Sequence, residues 1–139
     1  MTAPRRSATV VLERSAASLE QVRTWLQREL WTDGTEAVAD IVLMADELVA
    51  NVLLHTSSTP IVTLSFTGRG VRIGVHDSDR HLPLLRPVDR DRIGGLGLRI
   101  VDQYAYRWGT EYEGEDGKCV WFEVELDADG RPERRQPSG

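Results

Sequence analysis

Residues 61–77 read IVTLSFTGRGVRIGVHD. Ile61 to Phe66 is rich in β-branched side chains, and Thr67-Gly68-Arg69-Gly70 has the composition of a turn. In the following stretch Val71, Ile73 and Val75 alternate toward one side as far as His76. The spacing predicts a hairpin with arms at 61–66 and 71–76, and a hairpin demands antiparallel pairing. Upstream, Val38, Ile41, Val42, Ala45, Leu48, Val49 and Val52 recur at helical spacing, which predicts a helix over about 35–54. Before it, Val22, Trp25, Leu26 and Leu30 form one apolar stripe of a helix over 18–30, and Ser18 with Gln21 has the form of a capping box. Thr9 to Glu13 (TVVLE) reads as a short strand. Downstream, residues 77–95 form a long connection containing Pro83, Pro87 and a Gly pair. A third helix is expected from near Leu96 to about Tyr104. Strands follow at Arg107–Tyr112 and Cys119–Leu126, around a turn at Gly114-Glu115-Asp116-Gly117. The order β-α-α-β-β-α-β-β predicts an α+β fold. Its simplest form is a two-layer α/β sandwich, with helices over one face of a mixed, mostly antiparallel sheet.

The 139 residues suit one domain, with 40% hydrophobic and 28% charged side chains. The expected organisation is a loose leader at 1–7, one domain over 8–126 and a loose tail at 127–139. Cys119 is the single cysteine, which excludes an internal disulfide and a cysteine-rich metal site and fits a reducing cytoplasm. The net charge of -5 argues against direct nucleic-acid binding, which needs a positive stripe. The basic cluster Arg131, Arg134 and Arg135 reads as part of the solvated tail. Arg5 and Arg6 have no apolar run behind them, so no secretory signal is expected. The longest apolar runs are too short to cross a membrane.

Three features can carry chemistry. Glu47 and Asn51, in Asp46-Glu47-Leu48-Val49-Ala50-Asn51, are four residues apart and project from one helix face, away from the apolar stripe. Taken alone they read as solvated surface residues. Functionally, a carboxylate and a carboxamide one turn apart can hold a hard cation and a hydroxyl between them. Asp77 closes a hydrophobic strand, where it can cap a turn or accept a hydrogen bond from an exocyclic amine such as that of adenine. Gly94-Gly95-Leu96-Gly97-Leu98 opens the third helix, as a hinge or as a backbone that admits a phosphate closely. It is neither a GxxxxGK[ST] phosphate loop nor a dinucleotide fingerprint, because no strand leads directly into it.

Their order and spacing together are specific. Glu-x-x-x-Asn on a helix, a hairpin ending in Asp, a long loop and Gly-Gly-x-Gly-Leu resemble the N, G1 and G2 boxes of the GHKL (histidine-kinase-like) ATPases, which have a Bergerat-type ATP-binding fold. Trp108-Gly109-Thr110 and Gly117-Lys118-Cys119-Val120-Trp121-Phe122 look like the end of the compact anti-sigma serine-kinase-like branch of actinobacterial regulators. The resemblance covers about residues 8–126. It implies that Asn51 coordinates Mg²⁺ on the phosphates of ATP, that Glu47 is the catalytic carboxylate activating the attacking hydroxyl, and that Asp77 accepts the adenine amine. It further implies that Gly95, Leu96, Gly97 and Leu98 close on the phosphates, that Cys119 lies near the base, and that residues 78–93 form a lid over the nucleotide. The implied activity is γ-phosphoryl transfer to a serine of an antagonist protein, by an anti-sigma factor that binds a sigma factor and pairs with a second copy.

The sequence departs from the family at two places. Asp79 stands where the G1 box usually has Gly, and Cys119 where many relatives have Thr. These departures favour an alternative, a protein-binding module in which nucleotide at most holds a conformation. A histidine-directed or freely ATP-hydrolysing domain is a third reading, weakened by the absence of a preceding helix bearing a phosphoacceptor His. His55 is read as packing or capping the helix end. Trp25, Trp31, Trp108 and Trp121 are read as core or interface residues.

Overall fold

The hairpin forms as its alternation demands, and the rest of the sheet is built outward from it. The computed structural model describes residues 7–30, 37–68, 70–78, 93–114, 117–126 and 132–133. In chain order the elements are β1 (Ser7–Val11), α1 (Ser18–Leu30), α2 (Ala37–His55), β2 (Ile61–Phe66) and β3 (Gly70–Asp77). They continue with α3 (Ile93–Tyr104), β4 (Arg107–Tyr112), β5 (Lys118–Leu126) and the two-residue β6 (Pro132–Glu133). The strands lie in the order β1-β2-β3-β5-β4, with β6 on β5. Every described pairing is antiparallel, so the sheet is antiparallel throughout where a mixed one was expected. The chain leaves β3, passes through α3 to the far edge at β4, and returns through β5 into the gap.

Strand alternation sorts the sheet into two faces. Val62 and Leu64 of β2, Val71, Ile73 and Val75 of β3, and Val120, Phe122 and Val124 of β5 are buried on one face. The helices cover that face: α2 packs on β3 and β5, with α1 and α3 on its flanks. Being surrounded, α2 buries a broad band, adding Met44 to the stripe read from the sequence. The opposite face carries a polar ladder. Arg72 binds Glu111 at 2.9 Å and Glu123 at 3.5 Å, and its guanidinium lies 3.9 Å from the Trp121 ring centroid.

Several boundaries differ from the sequence reading, each for a local reason. β1 ends at Val11, two residues early, because the chain turns there: the Leu12 N–H donates to Pro60 O and Leu12 drops into the core. Ser7, assigned to the leader, pairs with Ser65, and Pro132–Glu133, assigned to the tail, pairs with β5. The capping box does not form. The Gln21 side chain accepts from the Glu13 N–H at 3.0 Å, the Ser18 hydroxyl donates to Glu13 O, and Ser15 Oγ caps the turn by accepting from the Ala17 N–H. α3 starts at Ile93 rather than near Leu96, so Gly94, Gly95 and Gly97 lie within its first turns. Trp31, Asp79, Arg80, Arg86, Asp89, Arg90, Asp91, Arg92, Arg131, Arg134 and Arg135 lie outside the described residues. No helix among the described residues is long and apolar enough to cross a membrane.

Candidate functional site

The C-terminal half of α2 carries Glu47 and Asn51 one turn apart, both half-buried. α2 ends at His55 and connects through residues 56–60 to Ile61, which pairs with His76. The topology thus brings Asp77 to the end of the sheet at which α2 terminates. Arg14 holds this corner by donating to Leu53 O and Ser58 O, each at 3.1 Å. His55 is exposed in the last turn of α2, a favourable place for a cationic side chain near free carbonyls, and does not pack.

Glu47 has its carboxyl pushed above the ordinary carboxylate range, first by burial and then by the negative charge of Asp46. Asp46 is itself tied to α1, with Oδ2 accepting from Arg23 Nη2 at 2.6 Å. A carboxylate with a raised pKa is a better proton acceptor once ionised, which suits the role expected of Glu47. Asn51 Oδ1 is enclosed and has no hydrogen-bond partner among the described residues, and the same holds for Asp46 Oδ1 and Trp121 Nε1. A buried carboxamide oxygen without a partner is uncommon because its desolvation is uncompensated. A hard oxygen donor aimed into an enclosed place fits Mg²⁺, which takes one or two protein oxygens and completes its shell with phosphates and waters. Among the described residues no group of three or more His, Cys, Asp or Glu is placed to hold a metal.

Asp77 is buried on the helix-covered face, and its Oδ1 accepts from Lys118 Nζ at 3.0 Å. The sequence reading missed Lys118. Its signal was available, since it is the one lysine in the chain and directly follows Gly117. Gly117 has φ 125°, and a Cβ there would stand 1.9 Å from Asp77 O, so glycine lets the start of β5 close onto the end of β3. Gly94, Gly95, Leu96 and Gly97 are placed by backbone in the first turns of α3, which packs beside α2. Leu98, expected at the nucleotide, is half-buried and packs against the core.

Cys119 is not brought together with these residues. Alternation turns it to the opposite sheet face from Asp77 and Lys118, where Sγ lies 3.6 Å from His76 Nε2. Cys119 thus stands across the pleat from the carboxylate expected to meet the base. On that outer face His76 Nε2 is 3.1 Å from Thr63 Oγ1 and Nδ1 is 2.8 Å from Glu113 Oε1. An open depression of about 410 Å³ there is lined by Thr59, Ile61, Thr63, His76, Asp77, Ser78 and Glu113. Its lining includes Asp77 but neither Glu47 nor Asn51. Of the tryptophans, Trp25 and Trp108 pack against the core, and Trp108 Nε1 donates to Asp102 at 2.9 Å.

Comparison with curated proteins finds no match. The family model described as the histidine kinase-like ATPase domain matches residues 12–124, a span running from just after β1 to near the end of β5. That span covers most of the chain, and the α+β architecture agrees with it, so the chain belongs to the histidine kinase-like ATPase domain family.

Proposed function

We propose that this ATPase-family domain binds Mg-ATP between α2, the end of β3 and the start of α3, and transfers the γ-phosphoryl group to a serine of an antagonist protein. It acts in the cytoplasm as an anti-sigma factor, capturing a sigma factor until the antagonist competes for it, and it pairs with a second copy. The observation that carries the catalytic part is the helix face of α2. There a carboxylate with a raised pKa stands one turn from a carboxamide oxygen that is enclosed and without a partner.

Each residue has a separate task. Asn51 Oδ1 supplies an oxygen to Mg²⁺, whose charge, when bound, offsets that on the phosphate oxygens. Glu47 takes the proton of the attacking serine hydroxyl as the new O–P bond forms and the bond to the leaving ADP oxygen breaks. Asp77 accepts from the exocyclic amine of the base. The N-terminal turns of α3 offer backbone N–H groups to the phosphates, where glycine permits close approach.

One observation favours the alternative of a nucleotide-gated protein-binding module. Asp77 already has a cationic partner in Lys118, and Asp79 adds a second carboxylate to the same stretch of sequence. Phosphate transfer from labelled ATP to candidate antagonist proteins separates the two readings. Transfer by the wild type that Glu47→Ala abolishes supports the kinase. Partner capture retained by Asn51→Ala, with no transfer by the wild type, supports the module.

A further inference from the structure

Gly74 lies in β3 between Thr63 of β2 and Trp121 of β5. Alternation turns it to the sheet face away from the helices. A Cβ added there would stand 2.8 Å from Cys119 Sγ, 2.9 Å from Thr63 Oγ1 and 3.4 Å from His76 Nε2. Three donor atoms from three strands thus converge on a spot that no side chain fills. The register explains the meeting: His76 is directly opposite Cys119, and Thr63 directly opposite Gly74. Thr63, His76 and Glu113 line the open depression on this face, while Cys119 is buried.

The spacings have a chemical meaning. Zinc bonds thiolate at about 2.3 Å and imidazole nitrogen at about 2.0–2.1 Å, so the two ligands of a tetrahedral ion stand about 3.6 Å apart. Cys119 Sγ lies 3.6 Å from His76 Nε2. Thr63 Oγ1 lies 3.1 Å from the same nitrogen, a few tenths closer than the roughly 3.4 Å between an oxygen and a nitrogen on one zinc. On the far side of the ring, His76 Nδ1 meets Glu113 Oε1 at 2.8 Å. A carboxylate only accepts, so Nδ1 carries the proton, and in the neutral ring Nε2 turns its lone pair toward Sγ and Oγ1. A carboxylate behind the imidazole is the usual support of a histidine that ligates a metal. Burial, then Glu113 and Glu111, push the Cys119 thiol up to about 12. The same negative charges that oppose a bare thiolate favour a cation beside it. The nearby guanidinium of Arg72 is engaged by Glu111, Glu123 and the Trp121 ring.

We propose that Cys119 Sγ, His76 Nε2 and Thr63 Oγ1 bind a zinc ion, with water completing the tetrahedron from the side of the depression and Glu113 holding the imidazole from behind. The Sγ–Zn bond forms as the S–H bond breaks, and the proton passes to solvent. Three protein ligands and a water are the pattern of an open zinc site, in contrast with the four protein ligands of a closed structural one. The third donor is a hydroxyl, so the set differs from the groups of three His, Cys, Asp or Glu that the described residues lack. The ion ties β3 to β5 across the pleat from Asp77 and Lys118, and is separate from the Mg²⁺ assigned to Asn51.

The test adds Co²⁺, a spectroscopic stand-in for zinc, to the metal-free full chain without nucleotide or Mg²⁺. Cys119 is the single cysteine, so any thiolate-to-cobalt charge-transfer absorption belongs to it. That absorption is expected to saturate at one ion per chain, together with the visible bands of tetrahedral cobalt, to release about one proton, and to vanish when Zn²⁺ displaces the Co²⁺. Glu113→Gln is expected to weaken binding by about 10–100-fold, the usual effect of removing the partner of a ligating histidine. Gly74→Ala keeps every ligand but puts a methyl group into the cradle, and is expected to abolish binding. A folded wild-type protein with no charge-transfer absorption at saturating Co²⁺ overturns the proposal without recourse to any variant. An absorption that persists unchanged in His76→Ala overturns it too, because the thiolate would then hold the ion with other ligands.

Discussion

Residues 76 and 77 are neighbours in β3, and 118 and 119 are neighbours in β5, yet they build two opposite environments back to back. On the helix-covered face, Asp77 and Lys118 form an ion pair almost wholly removed from water. On the outer face, His76 joins Thr63, Glu113 and Cys119 in a cluster that water reaches in part. The contrast shows how far adjacency in sequence is from adjacency in a site. The pleat assigns alternate residues to chemically different places, and a motif spanning both faces serves two purposes at once.

The largest expected effect breaks the pair on the inner face. Lys118→Met removes the ammonium from beside a buried carboxylate and is expected to cost about 3–5 kcal/mol in a denaturant titration. His76→Ala, on the same strand pair but the outer face, is expected to cost about 1 kcal/mol or less, because water reaches the groups it leaves behind. Equal losses from the two would erase the contrast between the faces.

Gly117→Ala comes next. Its Cβ would meet Asp77 O at 1.9 Å, and its positive φ disfavours any side chain, so a loss of about 1–3 kcal/mol is expected. A melt that matches the wild type would show that the close approach of β5 to β3 is not required.

Cys119 sharpens the comparison chemically. Burial, then Glu113 and Glu111, push its thiol up to about 12, so at pH 8 it should resist iodoacetamide in the folded protein and react once denatured. Cys119→Thr should leave ATP affinity within about threefold of wild type, since the residue faces away from Asp77 across the pleat. A large gain in affinity would return this position to the nucleotide pocket.

The smallest effect concerns Asp46. Its exposed pairing with Arg23 contributes little to stability. Its charge also raises the pKa of Glu47. With Glu47 as the proposed proton acceptor, phosphate transfer is expected to rise with pH through that raised pKa. Asp46→Asn should therefore move the acidic limb of the pH–rate profile to lower pH. The same shift makes Glu47 a small stability term in the opposite sense: folding is favoured while Glu47 is protonated, and that contribution is lost as pH rises through its folded pKa. An acidic limb that stays in place in Asp46→Asn would mean burial alone sets the pKa of Glu47.

The elements were legible where the apolar period was strong. α1, β2 and β4 stand at the residues expected, and the band of α2 differs only by Met44. The site was legible as residue types at a spacing: Glu47 and Asn51 share a helix face, and Asp77 ends its strand. Lys118 was not recognised, because a lone lysine after a glycine resembles any solvated turn residue until a facing strand shows it a carboxylate. The face of the sheet that Cys119 occupies was not legible, because a motif records which residues are near one another in sequence and not which side of the pleat each occupies. The capping box failed because Ser18 and Gln21 both found partners in the preceding turn.

The sequence by itself determined the α+β class, the antiparallel hairpin and the family, because apolar periodicity and motif order are local properties written along the chain. Only the tertiary structure decided that Asp77 is paired with Lys118, that Asn51 Oδ1 is enclosed without a partner, and that Cys119 lies on the far face of the sheet. Those facts depend on strand register and on burial by residues distant in sequence, and neither is encoded at any single position.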